Sequence, residues 1–335
     1  MTSLPPVPAP LADLAVVIRS GVVESRHLGS IAALAADGSV AWQTGSGEQI
    51  LPRSTVKPVQ ALACLIAGAD IDGAELAIAA GSHTGEDVHV EVVREMLTRA
   101  GLDDAALGCP VDWPEDEPTR ERLIRDGEQR SRVRMNCSGK HAAMLLACAV
   151  NGWDTATYLD PAHPLQQLVR ATLERLSGET VAHDAVDGCG APLFSVSPLG
   201  IARLFRALVT AEPGTPERRV ADAMRTHPRF VGGDHHANTD AMLRVPGLLS
   251  KGGAEGVIGM ATADGAAVSM KILDGNPRAT TLVALTVLEA LGADISSAGD
   301  LVDLPILGGG APVGSIQVGG DVRAWLDAPA ASAAP

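Results

Sequence analysis

An α+β fold is predicted, with a mostly antiparallel sheet drawn from both chain ends around an inserted helical region. Three observations predict it. Strand-like runs fill residues 14–45 and return after Leu248, helical periodicity occupies 54–225, and Gly and Pro breakers divide that middle stretch. The first block holds Ala-Val-Val-Ile from Ala15 and Ser-Ile-Ala-Ala-Leu-Ala from Ser30, with Asp37-Gly38 marking a hairpin turn. The middle predicts helices over 88–100, 141–151, 165–176 and 198–210. The last block alternates again from Val257 and from Val268 around an Asp264-Gly265 turn, and a long helix is expected over 278–291. This pattern predicts one domain over 1–326 in two lobes: a sheet lobe of about 11–53 and 227–326, and a helical lobe of about 54–226. The Pro-rich start through Pro10 and the Ala/Pro/Ser tail over 327–335 are expected to be disordered.

The chain is 335 residues long and 46% hydrophobic, yet it has one Tyr and three Phe, so aliphatic side chains must build the core. Its formal charge of −14 argues against nucleic acid and against an anionic membrane surface, where cationic contacts dominate. No basic stretch followed by an apolar run opens the chain, and no run reaches membrane-spanning length. Five cysteines at irregular spacing suit a reducing compartment better than a disulfide framework. The expectation is a soluble, cytoplasmic protein with a small-molecule partner.

Ser54 and Lys57 stand three apart in Arg53-Ser-Thr-Val-Lys-Pro-Val-Gln. On a helix they share one face, as a serine nucleophile and a lysine base require. Pro58 is tolerated only in a first turn, so the helix is predicted to begin at about Ser54, with the hydroxyl at its positive end. A cap and a surface charge would give the same spacing. Ser82, in Gly-Ser-His-Thr-Gly-Glu, is either a loop residue near a helix start or a second hydroxyl aimed into a cleft.

Cys137 and Lys140 lie three apart at the start of an apolar helix, and Cys189 sits between glycines in Asp187-Gly-Cys-Gly. Two thiolates suit zinc, while two buried structural cysteines would look alike in sequence. Lysine is an unusual third ligand, since deprotonating it at pH 7 costs about 4 to 5 kcal/mol. Cys64 and Cys148 fall on apolar helical stretches and are expected in the core, and Cys109 carries no signal. Lys251, followed by Gly252 and Gly253, is placed on a returning strand where a substrate can approach closely, or else at a solvated edge.

Taken together, R-S-x-x-K-P-x-Q, S-H-x-G-E-x-x-H, N-C-S-G-K-H-A-x-M-L, D-G-C-G-A-P and K-x-G-A-E-G-V resemble the rhizobial-type, thermolabile L-asparaginase II family. The resemblance runs from Glu24-Ser-Arg-His27 to the Asp274-Gly-Asn-Pro-Arg-Ala stretch. It implies a serine β-lactamase-like scaffold, hydrolysis of L-asparagine to L-aspartate and ammonia, and a homodimer. It makes Ser54–Lys57 and Ser82–Lys251 two Ser-Lys tandems, and matches Cys137, Lys140 and Cys189 to zinc ligands. Gly252-Gly253, where related enzymes often carry a hydroxyl residue before the glycine, is one departure, and His235-His236 finds no place.

On this basis Ser54 attacks the amide carbon, a neutral Lys57 takes its proton, and Ser82 links Lys57 to Lys251. Arg53 is the candidate for the substrate carboxylate, Asp187 or Glu255 for the ammonium, and His83 for a further substrate contact. The alternatives are a glutaminase or a β-lactam/D-peptide hydrolase on the same scaffold, and a non-catalytic amino-acid- or metal-binding protein.

Overall fold

The computed structural model describes residues 10–45 and 47–328. Most of the two end segments expected to be disordered, 1–9 and 329–335, lies outside the described residues. Among the described residues ten strands form: β1 (Ala12–Arg19), β2 (Val22–Leu34), β3 (Val40–Gln43), β4 (Asp184–Val186), β5 (Pro192–Phe194), β6 (Leu249–Gly253), β7 (Val257–Ala261), β8 (Ala267–Ile272), β9 (Leu304–Gly308) and β10 (Ala311–Val318). Eight make one antiparallel sheet in the order β6-β7-β8-β2-β1-β10-β9, with β3 on the end of β2. The small β4–β5 hairpin stands apart. Both chain ends therefore contribute to one sheet, as the alternation predicts.

Period-two patterning sorts the two faces of the sheet. Ile258, Met260, Val268 and Met270 pack with Leu282, Val283 and Leu285 of the helix Thr280–Ala290. Val257, Ala261 and Ala267 turn to the opposite face and join the core of the helical lobe. On that face the helix Pro198–Thr210 crosses the sheet, and Gly259 admits Phe205, whose ring lies 2.5 Å from where a Cβ would stand. The core is built almost wholly of Leu, Val, Ile, Ala and Met.

Helix starts follow local chemistry. Ser197 and Thr215 each cap an N-terminus through the side chain and precede a proline in the first turn. The predicted middle helices form as Asp87–Arg99, Ser138–Asn151, Pro164–Ser177 and Pro198–Thr210. The helix expected over 278–291 opens instead with a 3₁₀ turn, Pro277–Ala279. In sequence the β9–β10 hairpin resembles a loop, because it holds Pro305, Pro312 and three consecutive glycines. Proline is acceptable on an edge strand and at a bulge, and these two occupy such positions, on edge strand β9 and beside the Pro312/Gly314 register shift.

Candidate active site

The Ser54 segment is a 3₁₀ turn, Arg53–Val56, continuing into the α-helix Lys57–Ile66. The helix proper thus begins three residues after Ser54. Pro58 has no N–H to offer the Ser54 carbonyl four residues back, so the Lys57 N–H closes the shorter bond to it. Arg53 sits at φ 52°, a left-handed conformation uncommon for a side-chain-bearing residue.

The Lys57 amine is 1% exposed and donates to the Gly81 carbonyl at 2.7 Å, to Ser82 Oγ at 2.8 Å and, more weakly, to the Asn136 carbonyl at 3.4 Å. Ser82, not Ser54, is its hydroxyl partner. Ser82 is fixed by its own N–H to Val231 O at 2.7 Å, and Gly81 lets that chain approach: a Cβ there would meet Phe230 O at 2.5 Å.

Lys251 lies on β6 opposite Gly259 and is also 1% exposed. Burial, followed by the charge of Lys57, pulls its amine down to about 7. Gly253 brings β6 against the serine turn: an added Cβ would lie 2.7 Å from Thr55 Oγ1 and 2.8 Å from Pro52 O. The Gly252 N–H is taken by Asn238 Oδ1 at 2.8 Å, which caps the free edge of β6. Accepting there turns the Asn238 Nδ2 away, and that buried nitrogen has no acceptor among the described residues.

A cleft of about 580 Å³ is lined at one part by Ser54, Ser82, Lys251, Asn136, Glu115 and Asn238. Its remaining wall is more apolar, with Ile258, Pro277, Leu301 and Leu304, and carries Arg278. His236 lines it too, which places half of the His235-His236 pair. Its Nδ1 accepts the Asn238 N–H, and burial with the nearby Lys251 charge pulls the ring down to about 4.

Beside the cleft lies a thiol group. Lys140, 2% exposed, donates to Cys189 Sγ at 3.0 Å. A hydrogen bond from the Cys137 thiol, against the cost of burial, draws Cys189 down to about 5, while the same bond pushes Cys137 up to about 12. Burial opposes charge on Lys140, but the two sulfurs outweigh it and hold the amine protonated. Asn136 joins the two groups: its carbonyl receives Lys57, its Oδ1 lies 3.0 Å from Cys137 Sγ, and its Nδ2 donates to Glu115 at 2.7 Å. Among the described residues no three His, Cys, Asp or Glu side chains converge as a metal site. The Cys137–Lys140–Cys189 set has two such donors and an amine. Its sulfur-rich chemistry fits a soft divalent ion that can displace the Cys137 and Lys140 protons.

The sequence profile described as L-asparaginase II matches residues 15–318. The chain belongs to the L-asparaginase II family. That membership makes it an amidohydrolase. No curated protein matches it by sequence. Among solved structures, a β-lactamase from Mycobacterium bovis is similar at TM-score 0.40 and 15% identity, covering 82% of this chain and 93% of that one. A β-lactamase from Desulfarculus baarsii gives 0.35 and 17%, covering 79% and 92%. A Bacillus glutaminase gives 0.32 and 13%, covering 78% and 88%. Likeness at that level says nothing about substrate. No helix among the described residues is long and apolar enough to cross a membrane.

In this L-asparaginase II family member, the cleft gathers Ser54, Ser82 and Lys251, with Lys57 beneath. Four other sequence candidates fall elsewhere. Arg53 donates to Asp187 at 2.8 Å beside Cys189, and neither residue lines the cleft. His83 is fully buried, bonded through Nε2 to Ser138 Oγ at 2.9 Å and through Nδ1 to the Gly85 N–H, so it braces the loop. Glu255 is exposed in the β6–β7 turn at φ 61°, with its carboxylate toward Gly275. Glu115 and Arg278 line the cleft although the sequence offers neither as a site candidate, and the segment of His235-His236, which the sequence leaves without a role, contributes His236 and Asn238. Nothing in their local spacing marks them; only the fold brings them together.

Proposed function

We propose that this enzyme hydrolyses the side-chain amide of L-asparagine, giving L-aspartate and ammonia through an acyl-enzyme on Ser54. The observation that carries the proposal is a pair of buried lysines beneath two cleft serines, one of them drawn down to about 7. Serine needs a neutral base, and a lysine ordinarily near 10.4 supplies one only when burial and a like charge depress it. Lys251 meets that need better than Lys57. Lys57 donates to three acceptors, one of them Ser82 Oγ, which it orients, and its charge helps depress Lys251.

Ser54 Oγ attacks the amide carbon and its proton passes to Lys251, with Ser82 available to relay it. The protonated amine returns that proton to the amide nitrogen, the C–N bond breaks, and ammonia leaves. Water then adds to the Ser54 ester while the lysine accepts its proton, and as the C–Oγ bond breaks the lysine returns that proton to Ser54 Oγ and aspartate is released. Glu115 is the cleft carboxylate suited to the substrate ammonium, in place of Asp187 or Glu255. Cys137, Lys140 and Cys189 would hold zinc, which when bound would supply a Lewis acid beside the cleft.

Ammonia release from L-asparagine by wild type and Ser54→Ala tests the proposal. Wild-type turnover that vanishes in the variant supports it, and asparagine bound without ammonia release favours a binding protein. Glutamine belongs in the same assay: the cleft is roomy for one amino acid, and a single methylene changes binding by only about 1–3 kcal/mol.

A further inference from the structure

His236 belongs to the His235-His236 pair that the sequence leaves without a role, and the backbone holds its ring in one protonation state. It caps the helix Ala237–Arg244, its Nδ1 accepting the Asn238 N–H at 3.2 Å. A ring nitrogen that accepts a backbone N–H carries no proton of its own. The imidazole is therefore neutral, with its hydrogen on Nε2. Among the described residues Nε2 has no partner, and unlike the Nδ2 of Asn238 it is not shut away from open space.

Packing brings this ring close to the reacting groups. Gly232 makes room for it: a Cβ there would stand 2.8 Å from His236 Nδ1. The preceding residue, Val231, takes the Ser82 N–H on its carbonyl at 2.7 Å. Backbone dimensions then keep the ring within about 10 Å of Ser82, and the charge of Lys251 reaches it. An asparagine with a hydrogen bond at each end also spans about 10 Å.

The other side-chain donors on the cleft are engaged or face away. The Asn136 amide donates to Glu115, and Ser54, Ser82 and Lys251 serve the chemistry. Arg278 stands on the other face of the sheet. Lys251 pairs with Gly259, which admits Phe205 on the helical-lobe face, whereas Ile258, opposite Gly252, packs with the helix Thr280–Ala290. On that second face the Arg278 guanidinium bonds to His27 Nε2 at 2.8 Å and to Ser25 Oγ at 2.7 Å. With Glu115 for the substrate ammonium and the Ser54 turn for its amide, the α-carboxylate is the end still without a partner.

We infer that His236 donates through Nε2 to the α-carboxylate of the amino-acid substrate. The inference rests on the amidohydrolase reading above and names the carboxylate donor of that same cleft. A hydrogen bond to an ionised acceptor is roughly twice as strong as one between neutral groups, so one fixed N–H is enough to select for the carboxylate.

The test compares wild type, His236→Asn and His236→Ala on L-asparagine and on 3-aminopropanamide, which is asparagine without the α-carboxylate. Asparagine caps helices well, so His236→Asn should keep the wild-type melting temperature while losing the Nε2 donor. Its asparagine KM should rise roughly 10- to 100-fold, with kcat changed far less. Its preference for asparagine over 3-aminopropanamide should collapse by a similar factor, and calorimetric binding of L-aspartate should weaken in step. His236→Ala should lose the preference and the cap together. In wild type, saturating aspartate should shift the ¹⁵N resonance of His236 Nε2 and leave that of Nδ1 in place. If His236→Asn keeps its asparagine KM and aspartate affinity within about twofold, or loses both substrates equally, the inference is overturned and the amidase reading stands. An Nε2 resonance unmoved by aspartate overturns it as well, whatever the variants do. A wild type that binds aspartate through His236 but releases no ammonia overturns the amidase reading alone. One that neither binds aspartate nor releases ammonia overturns both.

Discussion

Lys57 and Ser82 share a 2.8 Å hydrogen bond, so the lysine of the Ser-x-x-Lys motif serves a serine 25 residues downstream. Ser54, three residues before that lysine, is left facing the cleft. The 3₁₀ turn forced by Pro58 and the Gly81 and Asn136 carbonyls explain why the amine points down rather than back along its own helix.

Ser82→Ala should therefore lower kcat without raising KM, by about 10²- to 10⁴-fold, the range for loss of a positioned proton-transfer group. Ser54→Ala should remove turnover altogether while still binding asparagine. Steady-state ammonia assays separate the two. Equal retention of kcat in Ser82→Ala would deny that hydroxyl any part in proton movement.

Gly253→Ala places a methyl group within 2.8 Å of Pro52 O and Thr55 Oγ1. The turn bearing Ser54 must shift or the strand must withdraw. Overpacking of this kind costs about 1–3 kcal/mol. Chemical denaturation should show that loss, and kcat should fall by more than the stability change explains. A variant with unaltered kcat would show that the Ser54 turn tolerates displacement.

Much of the fold was legible because patterning and punctuation agreed. Ser197 with Pro198 marks a helix start that the structure reproduces, and the alternation from Val257 and Val268 gives two central strands. The β9–β10 hairpin was not legible, since Pro305 and Pro312 argue for a loop until the edge position is known. At the site, Ser54, Lys57, Ser82 and Lys251 were identifiable from motif order. Their pairing was not, because it depends on where a 3₁₀ turn aims a flexible amine. Arg53 and His83 stood next to the serines in sequence yet are occupied by Asp187 and Ser138. Conversely, His27 and Arg278 carried no local sign of partnership.

The thiol group makes a separate prediction. Lys140 and Cys189 form a buried ammonium–thiolate contact, and removing one partner strands the other charge. Lys140→Met should cost about 3–5 kcal/mol in metal-free protein. Added zinc should raise the melting temperature of wild type and leave Cys189→Ser little changed. Elemental analysis alongside the melts checks occupancy. Equal zinc stabilisation of both proteins would place the ion elsewhere.

The most direct test of the account is the pH dependence of kcat/KM for asparagine in wild type and Lys57→Met. Lys251 acts as a base only when deprotonated, so the wild-type rate should climb as pH rises through about 7 and level off above it. Removing the Lys57 charge removes one of the three causes that depress Lys251, after burial and ahead of the Lys140 charge. The limb should then move to higher pH, while burial keeps it below the ordinary lysine value. A wild-type profile flat between about pH 6 and 8, or a limb that stays in place in Lys57→Met, would contradict a coupled lysine pair as the source of the base.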